Sequence, residues 1–179
     1  MKSPVLHVVP LRPAVEEAPV QPTAPLRVLL IENSPHDVEL ILSELRDSGF
    51  RVEPALVQTR DEFHRALKNG SFDAVLADYR LPGWSGLDAF GDLRAAGRET
   101  PFLLVTGTLG EEAAVDCIKQ GISDYVLKDR LKRLPVALNR ALREKSLRDE
   151  NQRAHEALRV SETRNRSLVE HAEIGRAHV

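Results

Sequence analysis

Four apolar runs in this chain end on residues that could do chemistry together. LRVLLI leads into Glu32 and Asn33, FDAVLA into Asp78, PFLLV into Thr106, and DYVL into Lys128. Asp78 and Glu32, with Asn33 as a neutral oxygen donor, suit a hard divalent cation such as Mg²⁺, which takes oxygen ligands and keeps several waters. Lys128 adds a positive point charge and Thr106 a short hydroxyl donor, both suited to phosphoryl oxygens. A carboxylate can act as a nucleophile toward phosphorus, and a metal and an ammonium beside it stabilise charge on the transferring group. Gly107 follows Thr106 and leaves room for a phosphoryl donor. The chain has neither a GxGxxG fingerprint nor a Gly-rich phosphate loop, so nucleotide binding in the manner of dehydrogenases or NTPases is unsupported.

For these residues to meet, the runs that carry them must lie side by side and point the same way. LRVLLI (26–31) has the length of a strand buried on both faces. Ser34 is placed to cap a helix, with Pro35 at its first position. Val38, Leu40, Ile41, Leu42 and Leu45 form that helix's apolar face, and Gly49 ends it. RVEPALVQ reads as a second strand, at an edge because Pro54 cannot donate to a ladder. Thr59 and Glu62 make a capping box for the helix RDEFHRALKNG. FDAVLAD is the third strand. Ser85 caps GLDAFGDLRAAG, which Gly91 weakens. PFLLVTG, the helical EEAAVDCIKQG and DYVLK follow, and a last helix begins near Leu131–Pro135. Five strands alternating with five helices predict a parallel sheet with right-handed crossovers and helices on both faces. Ligands of such sheets bind at the carboxyl ends of the strands.

The segments VLLIEN, LADYRLPGWSG, LLVTGT and GISDYVLKD, in this order over residues 26–145, resemble the receiver domain of bacterial two-component response regulators. That is the family of the chemotaxis response regulator. The resemblance implies a flavodoxin-like, doubly wound, five-stranded parallel sheet of order 2-1-3-4-5, here with an extended C-terminal helix. It implies that Asp78 accepts a phosphoryl group from a sensor histidine kinase or a histidine phosphotransfer protein. Mg²⁺ would be bound by Asp78, the Glu32/Asn33 pair and the backbone carbonyl of Arg80. Thr106, Gly107 and Lys128 would bind the phosphoryl group. Thr106 and Tyr125 would form the switch that reports it to the face of the fourth helix, fifth strand and fifth helix. Such a domain catalyses its own phosphorylation and dephosphorylation and is a switch, not a turnover enzyme. The stretch LPGWSG would turn the chain away so that the next helix leaves the carboxylate open. Two positions depart from the family pattern. Asn33 stands where the family has Asp, which lowers the charge available to Mg²⁺. Asp129 stands where the family has a proline with a cis bond before it; a cis bond before another residue costs about 2.5–4 kcal/mol, so a trans Lys128–Asp129 bond is expected.

Plainer readings stand beside these. An aspartate at a strand end is often a turn former, Thr106 an ordinary strand residue, and Lys128 a solvated cation. Tyr125 can be plain core, and Trp84 reads as packing or an exposed contact. Asn33 and Asp129 favour an alternative in which the domain is a pseudo-receiver, a docking or dimerisation module independent of phosphate. A Mg²⁺-dependent phosphatase would want a second aspartate two residues after Asp78, where this chain has Arg80.

The whole chain has 42% hydrophobic and 29% charged residues with a net charge of −2, which argues against nucleic-acid or membrane binding by the chain as a whole. Cys117 has no disulfide partner, and the six histidines lack metal-ligand spacing. No run reaches the length of a membrane span, and a cytoplasmic location is expected. Residues 1–25 hold six of the eleven prolines and read as a disordered tail. Residues 26–145 form the receiver unit, with Leu134, Leu138, Ala141 and Leu142 packing on the sheet. Residues 129–179 carry 12 basic against 8 acidic residues, but no recognition-helix pattern points to nucleic acid. Residues 146–172 read as a solvated signalling linker helix that resembles the lead-in to a PAS sensor domain and could pair in a homodimer. The output it serves is expected to be a PAS-linked histidine kinase or a cyclic-dinucleotide enzyme. EIGRAHV (173–179) matches the translation of a common adapter oligonucleotide and reads as non-native.

Overall fold

The computed structural model describes residues 24–107 and 118–176. Most of the expected tail, Cys117, residues 111–117 of the helix expected over 111–121 and residues 177–179 lie outside these. In the described part, β1 (Leu26–Ile31), α1 (Pro35–Asp47), β2 (Val52–Val57), α2 (Arg60–Asn69) and β3 (Ala74–Ala77) follow one another. A small hairpin, β4 (Arg80–Leu81) with β5 (Trp84–Ser85), leads into α3 (Gly86–Ala95). Then come β6 (Phe102–Thr106), β7 (Asp124–Leu127), a 3₁₀ turn (Lys128–Arg133) and a long C-terminal helix (Leu134–Arg176).

The main sheet is wholly parallel, in the order β2-β1-β3-β6-β7. With the hairpin strands set aside, this is the order 2-1-3-4-5. Side chains of β1 alternate between two cores, as the two-residue period of a strand requires. Val28 and Leu30 join Ile41, Leu45, Leu76, Val105, Val126, Leu134 and Leu138, on the face covered by α1 and the C-terminal helix. Leu29 and Ile31 join Phe63, Val75, Phe90, Phe102 and Leu104, on the face covered by α2 and α3. Both sides are filled, so the strands read as near-continuous apolar runs.

The helix starts follow their caps. Ser34 Oγ accepts from Asp37 N, with Pro35 in the first turn. Thr59 and Glu62 close the expected capping box, and Ser85 and Asp88 close a second. The C-terminal helix buries Leu134, Leu138 and Ala141 and partly buries Leu142. Its 43 residues span about 65 Å. Past Lys145 it carries intrahelical ion pairs, Lys145 with Asp149 and Arg159 with Glu156.

Two details differ from the sequence reading. Leu40 is 43% exposed; it lies one residue off the stripe formed by Ile41, Leu42 and Leu45, so the 3.6-residue period turns it outward. The stretch LPGWSG is part of a short antiparallel hairpin instead of a plain turn, with Gly83 at φ 79°. Trp84 packs within it against Phe63, ring centroids 5.8 Å apart.

Gly86 and Gly91, both in α3, make contrasting predictions. A Cβ on Gly86 would lie 2.5 Å from Leu104 Cδ2 and 2.6 Å from the Asp78 carbonyl oxygen, whereas one on Gly91 would meet nothing within 4 Å among the described residues. Gly91→Ala should therefore raise the unfolding free energy by about 0.5–1 kcal/mol. Gly86→Ala should lower it by about 1–3 kcal/mol. Urea denaturation of the two variants checks both signs.

Candidate functional site

The parallel register brings the chemistry together. Ile31 pairs with Ala77 across β1 and β3, so Glu32 and Asp78, each one residue further on, leave adjacent strands at the same level. Asp78 N–H donates to the Ile31 carbonyl, which holds the two chains together at that point. Thr106 is opposite Leu127 across β6 and β7, so Lys128 emerges one residue beyond it. Thr106 is buried at the end of β6.

Lys128 Nζ stands at the centre. It donates to Glu32 Oε2 at 2.7 Å, Asp37 Oδ2 at 2.7 Å and Asp78 Oδ2 at 2.8 Å. The group is largely withdrawn from water: side-chain exposure is 17% for Lys128, 4% for Glu32, 25% for Asp37 and 15% for Asp78. Burial opposes the charge on Lys128, but its hydrogen bonds to Asp37, Asp78 and Glu32 outweigh that and hold its pKa above the ordinary lysine value. The Lys128 hydrogen bond holds the Asp37 carboxyl below its ordinary 3.8, against the opposing effect of burial. The stability this contact gives is complete above that ordinary value and is lost as pH falls through the lower folded one.

The backbone fixes the acids. Glu32 Oε1 accepts from Asn33 N and Ser34 N, both at 2.9 Å. Asp78 Oδ1 accepts from Arg80 N at 3.2 Å, which sets the Arg80 peptide beside the carboxylate while its side chain points to solvent. The Asn33 amide is turned to the Gln58 carbonyl at 3.5 Å. Tyr125 is half-buried against the core of the α2/α3 face. Gly107 is exposed, and among the described residues a Cβ on it would meet nothing within 4 Å. None of the described peptide bonds is cis, so Lys128–Asp129 is trans, and the ammonium still reaches all three acids.

Of the residues expected at the site, Glu32, Asp78 and Lys128 come into direct contact. Arg80 adjoins them through its backbone, Asn33 Nδ2 reaches the Gln58 carbonyl, Thr106 ends β6, and Tyr125 lies in β7. Asp37 was not foreseen. An acid three residues after an N-cap serine reads as an ordinary first-turn acid, and only the three-dimensional path of α1 shows it facing Lys128.

The donor chemistry fits a hard cation. Three carboxylates against one ammonium leave a formal charge of −2 in a partly desolvated place, and every available donor is oxygen. Among the described residues, no three acidic, His or Cys side chains form a ready metal cage; the acids gather on Lys128 instead.

An open, doubly wound parallel sheet with acids and a lysine at its carboxyl rim defines a flavodoxin-like α/β domain. Residues 28–139 match the model of the response regulator receiver domain, and the chain belongs to that family, which serves two-component signalling with histidine kinases or phosphotransfer proteins. It is 32% identical over 103 residues to the transcriptional regulatory protein DltR of Streptococcus agalactiae, covering 58% of this chain and 45% of that one. It is 36% identical over 90 residues to the regulatory protein AtoC of Escherichia coli, covering 50% and 20%. The chain thus spans less than half the length of these two regulators. The receiver domain of the sensor histidine kinase PA1611 from Pseudomonas aeruginosa, solved with a magnesium ion in its active-site cleft, superposes with a TM-score of 0.56 at 29% identity. That match covers 66% of this chain and 98% of the other. No described helix is long and apolar enough to cross a membrane.

Lys128→Met removes the only ammonium among the described residues that contacts these three carboxylates. It should lower the unfolding free energy by about 3 kcal/mol at pH 7, and added Mg²⁺ should recover part of that loss. Urea denaturation with and without Mg²⁺ measures both effects.

Proposed function

We propose that Asp78 is the phosphoacceptor of this receiver, charged by a sensor histidine kinase or a histidine phosphotransfer protein. The observation that carries this reading is the contact between Lys128 Nζ and Asp78 Oδ2, made at the open rim of the sheet and shared with Glu32 and Asp37. A carboxylate oxygen of Asp78 attacks the donor's phosphorus; the new O–P bond forms as the P–N bond to the donor imidazole breaks. Lys128 holds the reacting carboxylate in place and then meets the added oxygens as a point charge. Gly107 adds no side chain of its own to the donor's approach. Glu32, Asn33, Asp78 and the Arg80 carbonyl would hold Mg²⁺, which when bound neutralises charge on the transferring group.

In this reading Thr106 meets a phosphoryl oxygen, Tyr125 follows it, and the change passes to the C-terminal helix. Residues 146–172 lead toward an output such as a PAS-linked histidine kinase or a cyclic-dinucleotide enzyme. A second reading, a phosphate-independent docking or dimerisation module, is favoured by that helix: Leu147, Leu158 and Val160 are 65%, 58% and 49% exposed. Val136, Leu147 and Leu158 recur every eleven residues and lie along one stripe.

Intact-mass spectrometry after incubation with acetyl phosphate and Mg²⁺ separates the two. The receiver reading expects one phosphoryl increment, abolished by EDTA and absent from Asp78→Asn. No increment on the folded wild type, with a phosphorylated histidine kinase also tried, favours the docking module.

A further inference from the structure

The first turns of the three helices α1, α2 and α3 are built alike, with one difference. Each has an acid three residues after its N-cap: Asp37 after Ser34, Glu62 after Thr59, Asp88 after Ser85. In α2 and α3 that acid bends back to the N-cap backbone: Glu62 Oε2 accepts from Thr59 N at 3.2 Å, and Asp88 Oδ2 from Ser85 N at 2.8 Å. In α1 the corresponding N–H, Ser34 N, donates to Glu32 Oε1 at 2.9 Å. Asp37 therefore does not take the N-cap N–H; its carboxylate stays by the Ser34 hydroxyl and also reaches Lys128 Nζ at 2.7 Å. A first-turn acid serving only its helix would close the cap as its two counterparts do.

Charge shows what the diversion achieves. Glu32 and Asp78 against Lys128 leave one negative charge, too little to neutralise a divalent cation. Asn33 adds none, being a neutral amide turned to the Gln58 carbonyl. With Asp37 the balance is −2, which a divalent cation brings to zero.

We propose that Asp37 is a positioning residue of the phosphoryl site, which anchors Lys128 and supplies, from the first turn of α1, the negative charge that position 33 lacks. This rests on the receiver reading of the site. Charge at position 33 and charge at position 37 are then interchangeable for cation affinity, which a purely structural role for Asp37 does not require.

The test is calorimetric titration of the full chain with MgCl₂ for wild type, Asp37→Asn, Asn33→Asp and the double variant Asn33→Asp/Asp37→Asn, each first checked for a cooperative thermal transition. Asp37→Asn should weaken Mg²⁺ binding about tenfold, and the double variant should return to within about threefold of wild type. Asn33→Asp alone should bind more tightly than wild type. Unchanged affinity in Asp37→Asn, or a double variant as weak as Asp37→Asn, would overturn the proposal. Should Asp37→Asn not fold, the double variant decides alone by the same threefold margin. A wild type that binds no Mg²⁺ removes the receiver reading and this proposal together, whereas a binding wild type matched by Asp37→Asn removes only the role of Asp37.

Discussion

Three carboxylates from three separate segments meet on one ammonium, and the rest of the molecule is arranged so that they can. Like charges at such range repel by several kcal/mol in a partly dry environment, and only a cation between them makes the gathering favourable. Lys128 is that cation, bonded to Glu32, Asp37 and Asp78 at once. The arrangement requires β1, β3 and β7 to end flush and α1 to begin beside them. A slip of one residue in any strand would turn its terminal side chain to the other face of the sheet.

Two filled cores hold the strands at that register. Leu30 and Leu76 are locked from one side with Leu103 and Val105, and Leu29 and Val75 from the other with Phe102 and Leu104. A strand packed on both faces has no freedom to rotate, so the polar residue following it leaves in a fixed direction. Gly86 completes the framework: it lets the start of α3 press against the Asp78 carbonyl, where no side chain would fit. The hairpin of Arg80–Leu81 with Trp84–Ser85 brings the chain from Asp78 to that point.

Sequence reading recovers the framework because each signal in it is local. LRVLLI, FDAVLA and PFLLV declare buried strands by composition, Pro54 marks the edge, and Thr59 with Glu62 announces a helix start. All three appear as expected. The strand-end residues Glu32, Asp78 and Lys128 were equally legible, since a parallel sheet sends every strand's carboxyl end to one rim. Asp37 was not legible, because its function depends on which group takes Ser34 N–H, and that is decided by the fold of Glu32 and not by the sequence of α1. Nor was the rotation of the Asn33 amide toward Gln58, a contact between residues 25 positions apart. Leu40 shows the same limit on the apolar side: an unbroken run of apolar residues in a helix does not say which of them lies outside the buried stripe.

In the proposed receiver reading, the same geometry offers the C-terminal helix as an outlet for a change at Asp78. Lys128 opens the 3₁₀ turn, and that turn runs directly into the helix at Leu134, which is fully buried against the sheet. Whatever binds the ammonium is therefore tied through one short turn to the seat of a helix about 65 Å long. Leu134 and Leu138 pack beside Val126 of β7, the strand that delivers Lys128. Arg140 adds an ion pair to Asp124 at the start of that strand, so the helix follows β7 at both of its ends. In that reading a change of charge at Asp78 alters the partners of Lys128 first, and only the kinked segment Lys128–Arg133 separates Lys128 from the helix. A rim residue and the seat of the long helix are thus joined by covalent sequence and by packing on β7.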